Sequence, residues 1–127
     1  MPGRLYGAAA EFMATKYLGQ MSEDDTVVTV GTAATSLIGG DPDRLTLLIV
    51  NLSGNTAYIG INNDVSAANG IRLGATGGSV SFDANEDGMI PTREIFALGA
   101  GAGTNLYVLS MRRFIADRQI TYEEGEV

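Results

Sequence analysis

The chain contains no cysteine, no histidine and no tryptophan among its 127 residues. These absences remove thiolate nucleophiles, Ser-His-Asp arrangements, thiol and imidazole metal ligands, and disulfides. Without disulfides, stability must come from packing or from assembly. Basic residues are also few, 8 against 15 acidic ones for a net charge of −7, and Lys16 is the only lysine. An acidic chain of this kind is expected to make no direct contact with the nucleic-acid backbone. The one adjacent basic pair, Arg112 and Arg113, is followed by Asp117, Glu123, Glu124 and Glu126 and reads as a solvated strand end. Long hydrophobic runs are missing as well. The most apolar stretch, Leu5 to Leu18, is interrupted by Glu11 and Lys16 and is followed by no small-residue cleavage site. Nothing approaches the ~18 apolar residues that span a bilayer, so a soluble chain without membrane contact is expected.

What is present suits one globular domain. Hydrophobic residues make up 45% of the chain and charged ones 18%, with 17 glycines available for tight turns and only 3 prolines. Residues 4–21 place Leu5, Ala9 and Phe12, and likewise Tyr6, Ala10, Met13, Tyr17 and Met21, at spacings of three and four. That spacing predicts an amphipathic helix. Gly7 and Gly19 weaken it by about 1 kcal/mol each relative to alanine, so the helix needs a surface to lie on. Leu5, Phe12, Tyr17 and Met21 are therefore the candidate assembly residues, docking on a neighbour or capping the chain's own sandwich.

The acidic run Ser22, Glu23, Asp24, Asp25 reads as a linker, after which the apolar period changes from about four to two. Strands are predicted at 26–30, 44–51, 56–61, 70–73, 79–82, 94–98 and 106–111, separated by glycine- and asparagine-rich turns. Residues 44–51 and 56–61 make the best hairpin candidate across Asn51 to Asn55, and the continuous apolar run 47–50 suggests a strand covered on both faces. The organisation that follows is a helical arm with an acidic linker over 1–25, a β domain over 26–112 and a tail over 113–127. The fold class is all-β, a single β-sandwich or jelly-roll-like domain of about 7–8 short antiparallel strands.

Two segments resemble chemical motifs. Residues 83–94, DANEDGMIPTRE, satisfy a calcium-loop pattern with Asp83, Asn85, Asp87 and Glu94 as side-chain ligands, Gly88 at the turn and Met89 offering a carbonyl. The helices that should flank such a loop are missing from the pattern, so the competing reading is a polar hairpin loop with Glu94 facing solvent or pairing with Arg93 or Arg72. Residues 99–105, GAGAGTN, lack the Gly-Lys-Ser/Thr ending of a phosphate loop and read as a second hairpin loop. No nucleophile and base pair is identifiable, and no enzyme is expected.

From Val27 to Met111 the order of segments resembles small structural proteins of tailed bacteriophages. The matching text is VVTVGTAATSLI at 27–38, RLTLLIVNLSGNTAYIGINNDVSAANGIRL at 44–73, EDGMIPTREIFAL at 86–98 and NLYVLSM at 105–111. The resemblance implies one β-sandwich without catalytic residues, located in a virion. It implies a capsid decoration (cement) protein that binds the major capsid protein or other virion proteins as a homo-oligomer, a trimer, with no cofactor. It makes residues 86–98 part of a recurring sandwich connection, so that the match to the calcium pattern at 83–94 is largely accidental. The alternatives are a tail or fibre component touching its partner through loops 62–69 and 99–105, and a calcium-dependent binding module.

Overall fold

The computed structural model describes residues 21–113, which form two antiparallel sheets of four strands packed face to face. In chain order the strands are β1 (Met21–Val30), β2 (Thr35–Ile38), β3 (Arg44–Asn51), β4 (Ala57–Gly60), β5 (Ile71–Leu73), β6 (Ser79–Asp83), β7 (Ile95–Gly99) and β8 (Thr104–Arg113). The first sheet has the order β1-β8-β3-β6 and the second β2-β7-β4-β5. First pairs with last, second with seventh, third with sixth and fourth with fifth, the nested pairing of a jelly roll. The expected all-β sandwich is therefore what the chain adopts.

The alternation of side chains decides the core. Along β3, Leu47, Ile49 and Asn51 are buried while Leu48 and Val50 are half-buried, and along β8 Leu106, Val108 and Ser110 point inward. Ile59 of β4 and Ile95 and Ala97 of β7 meet them from the second sheet. The continuous apolar run of β3 thus has one fully covered face and one partly covered face, not two covered ones.

Three expectations need correction. The acidic run is not a linker. Ser22, Glu23, Asp24 and Asp25 belong to β1 and pair with Arg112, Met111, Ser110 and Leu109, because ladder hydrogen bonds use the backbone whatever the side chain. As β1 is a sheet edge, its exposed acids discourage pairing with another chain. The β domain accordingly begins by Met21, which opens a strand and does not close a helix.

The second correction concerns hairpins. β3 and β4 lie in different sheets, as do β6 and β7, and β7 and β8, so the turns between them are crossovers. Only β4 and β5 are neighbours both in sequence and in a sheet. Asn51 explains the first crossover: fully buried, it accepts at Oδ1 from the Ser53 N–H (2.9 Å) and hydroxyl (2.8 Å). Its Nδ2 donates to the carbonyls of Asn55 (2.6 Å), Leu73 (3.2 Å) and Gly74 (3.2 Å), which ties the end of β3 to the end of β5 across the sandwich.

The third correction is Arg112, which is an anchor and not a solvated strand end. Its Nε donates to Asp41 Oδ2 at 2.6 Å, and Asp43 Oδ2 lies 3.9 Å from its Nη2. β2, which the periodicity did not separate, is a short edge strand with a register shift between Ser36 and Ile38. The helical reading of 4–21, with Leu5, Phe12 and Tyr17, lies outside the described residues apart from Met21, as does most of the 113–127 tail.

Candidate partner-binding crevice

The calcium pattern does not assemble. Asp83 ends β6 and caps a four-residue helix, α1 (Ala84–Asp87), its Oδ1 accepting from the Asn85 N–H at 2.8 Å. Asp87 turns back to accept from the Asp83 N–H at 2.8 Å. Gly88 closes the helix with a φ of 64°, a conformation that favours glycine and accounts for its place in the motif. Glu94 is exposed, as the hairpin-loop reading expected, and accepts from the Ser36 hydroxyl at 2.6 Å. The structure thus brings Asp83, Asn85 and Asp87 together around one helical turn and directs Glu94 to β2. Among the described residues no three acidic side chains converge as a metal site.

The loop 99–103 is fixed from within the fold. Thr104 is buried, its hydroxyl donating to the Gly101 carbonyl at 2.8 Å and accepting from Asn55 Nδ2 at 3.2 Å. A side chain at Gly99 would collide with Thr104, so the glycine is required by close approach and not by an anion.

The surface best suited to a ligand or partner is a crevice at the opposite end of β4. β5 and β6 are edge strands of their respective sheets and do not pair with each other, which leaves the sandwich open between them. Ile59, Ile61, Val65, Ile71, Phe82 and Ile90 line a cavity of about 510 Å³ there, with Asn62, Asp64 and Asn69 at its lip. Ile61, just after β4, is 37% exposed and Ile71, which opens β5, 43%, whereas Ile59 and Leu73 on the same two strands are buried.

The loop 61–70 that forms one wall is preorganised. Asn69 Oδ1 accepts from the Ser66 N–H at 2.6 Å, and its Nδ2 donates to the Asp64 carbonyl at 3.2 Å. The loop can therefore push Val65 inward, where it is 6% exposed between Gly60 and Gly70; a Cβ at either glycine would lie 2.8 Å from the valine side chain. The back wall is anchored from the other direction. Arg44, 4% exposed, donates from Nε to the Pro91 carbonyl (2.7 Å) and from Nη2 to those of Arg93 (2.9 Å) and Gly39 (2.8 Å). The Asp41 N–H adds a bond to the Thr92 carbonyl at 2.9 Å, so the 3-10 turn Ile90–Thr92 that presents Ile90 is held on three successive carbonyls.

Electrostatics stabilises this anchor and leaves the crevice nearly neutral. The hydrogen bond from Arg112 holds the Asp41 carboxyl below its ordinary range, and the same bond raises the guanidinium. Burial pushes Arg44 down, offset in part by Asp41. The crevice itself has one charged lining residue, Asp64. A neutral apolar slot of this volume can accept aliphatic or aromatic side chains of a partner, or an acyl group. Sequence reasoning pointed to loop 62–69 as a possible contact but missed Ile61, Ile71, Phe82 and Ile90. The shared crevice arises from three segments distant in sequence, and no local pattern signals it.

No protein-family model matches the chain, and no curated protein matches it. Solved structures with a similar arrangement include a subunit of Bacillus endospore appendages, described as disulfide-linked pili (19% identity, 75% of this chain and 88% of that one, TM-score 0.47). A Cupin_2 domain of an XRE family transcriptional regulator from Enterobacter cloacae is similar at 10% identity, 73% and 81% coverage and TM-score 0.43. The Tobacco streak virus coat protein is similar at 13% identity, 74% and 86% coverage and TM-score 0.40. Likenesses this loose carry no information on function.

Proposed function

We propose that the chain is a non-enzymatic virion structural protein, a capsid decoration protein that joins other virion proteins through the crevice between β5 and β6. The observation that carries the binding role is the exposure of Ile61 and Ile71 over an apolar slot at an open sandwich edge. The virion location rests on the resemblance of segments 27–38, 44–73, 86–98 and 105–111 to structural proteins of tailed phages. The chain works as a symmetric trimer, and many copies on a regular lattice multiply a modest affinity per contact.

Light scattering on the purified protein, with and without capsids, tests the reading together with electron microscopy of the decorated particle. Hundreds of copies per particle, with the crevice turned toward the capsid, support it. Three to a few dozen copies would instead place the protein in the tail, and a monomer that ignores capsids would remove the decoration role altogether.

A further inference from the structure

We propose that the partner enters the β5–β6 crevice as an extended strand added antiparallel to the free edge of β6, with an apolar side chain in the slot and a lysine or arginine beside Asp83. The proposal rests on the crevice being the binding surface and names the chemistry of what occupies it.

The two sheets leave four edges, and three of them are poor templates. β1 carries Glu23, Asp24 and Asp25, β2 is interrupted by the register shift between Ser36 and Ile38, and β5 is only three residues long. β6 has neither lysine nor proline, and its pairing with β3 runs from Ser79 to Asp83 without a shift.

The outward backbone groups of β6 follow from the ladder. The Asn51 N–H donates to the Gly78 carbonyl at 2.8 Å, so Gly78 faces β3. Every second residue of an antiparallel ladder exchanges bonds with its partner, so Val80 and Phe82 face β3 as well, while Ser79, Ser81 and Asp83 direct N–H and C=O away from it. Asp83 agrees with this phase, because its N–H donates to the Asp87 carboxylate at 2.8 Å. That carboxylate closes one end of the edge. Ser79 and Ser81 are exposed, and among the described residues nothing bonds their outward N–H and C=O groups. On the other sheet the Ala100 N–H donates to the Thr56 carbonyl, which by the same alternation leaves β5 only Arg72 to offer. β6 is the better template by two residues to one.

An added strand continues the first sheet, and each of its residues shares a face with the β6 residue opposite. The residue opposite Phe82 points inward, where Ile61, Ile71, Phe82 and Ile90 line the cavity of about 510 Å³. Those opposite Ser79 and Ser81 point outward and exchange main-chain bonds with them. The residue opposite Asp83 also points outward, beside that carboxylate and near Glu86 of α1, with Asp64 at the lip of the crevice. No basic side chain lines the crevice, and Arg72 alternates with Ile71 and Leu73 onto the outer face of the second sheet. The pattern that fits, from the N-terminus of the partner segment, is therefore basic, apolar, polar, apolar, polar. Main-chain bonds supply affinity, and the slot and the acids supply specificity.

The test uses the full-length protein and a synthetic peptide, acetyl-Lys-Ile-Thr-Ile-Thr-Lys-amide, followed by NMR. Binding should shift the Ser81 amide and slow its hydrogen exchange by about tenfold or more, and should move the Ile61 and Ile71 methyl resonances. N-methylation of both threonines removes the N–H groups that face β6 and should weaken binding by about tenfold or more, whereas N-methylation of both isoleucines, whose N–H groups face away, should leave it nearly unchanged. Glutamate in place of the first lysine should weaken binding as well, and less so as salt is raised. Equal losses from the two methylations, a larger loss at the isoleucines, protection of the Arg72 amide in place of Ser81, or indifference to glutamate would each overturn the proposal. The crevice reading is scored separately. If the Ile61 and Ile71 methyls move while the Ser81 amide exchanges as before, the crevice binds side chains and strand addition is refuted; if Ile71→Asp leaves capsid affinity intact, the crevice reading itself fails and takes the proposal with it.

Discussion

The Asn51 corner and the β5–β6 crevice lie toward opposite ends of β4 and β5, and they are built from opposite materials. At the corner one buried amide serves two strands and a turn, and every polar atom of its side chain is satisfied. At the crevice the lining is aliphatic and aromatic, two isoleucines stand partly in water, and the walls are fixed by bonds made behind them, by Arg44 and by Asn69. Directional bonds specify one arrangement and leave nothing to offer a partner. Apolar surface is non-directional, so a site that is rigid at its back and apolar at its front can accept another protein without reorganising.

That contrast can be broken most forcefully at the corner. Asn51→Ala leaves the buried Leu73 carbonyl and the neighbouring carbonyls of Asn55 and Gly74 without their donor, and we expect a loss of about 3 kcal/mol in urea unfolding, at the cost typical of unpaired buried groups. A loss under about 1 kcal/mol would mean that water replaces the amide and the corner is not what fixes the crossover.

At the crevice the largest stability effect should come from overfilling. Gly70→Ala puts a methyl 2.8 Å from Val65 Cγ2 and 3.0 Å from the Ser66 carbonyl, and a loss of about 2 kcal/mol is expected from strain of this kind. Partner binding should fall with it, because Val65 can yield only into the cavity. Ile71→Asp separates the two regions more cleanly. Thermal unfolding should change by about 1 kcal/mol or less, as for a surface position, whereas capsid affinity should drop at least tenfold, about 1.4 kcal/mol. Equal affinity in variant and parent would remove the crevice from the interface.

The parts of the fold that depend on local alternation were legible in the sequence. β3 and β8 announce themselves through short runs of aliphatic and aromatic residues, and the glycine-rich turns bracket them. The pairing was not legible, since a jelly roll joins strands far apart in the chain and Asn51 looks in sequence like an ordinary turn residue. Ser22 to Asp25 misled for a related reason: composition suggests solvent, and solvent exposure is what an edge strand has on its open side. Of the crevice, only the polar loop was visible. Its apolar wall combines Phe82 from one sheet, Ile71 from the other and Ile90 from a 3-10 turn, and their meeting is a property of topology.

The smallest effect expected is on the bonds behind the crevice, and it carries a pH signature. Asp41 accepts from Arg112 and from the Asp43 N–H (2.9 Å) while its own N–H holds the Thr92 carbonyl. With the folded carboxyl held below its ordinary 3.8, its contribution is complete above that value and disappears as pH falls through the lower folded value. Asp41→Asn should therefore cost about 1 kcal/mol or less at neutral pH, since the pair is partly exposed, and progressively nothing under strongly acidic conditions. Because the backbone bond to Thr92 survives the substitution, Ile90 should stay in place and capsid affinity should hold at neutral pH. If affinity fell together with stability, the ion pair would be positioning the crevice itself, and its polar support and apolar binding surface would have to be treated as one coupled unit.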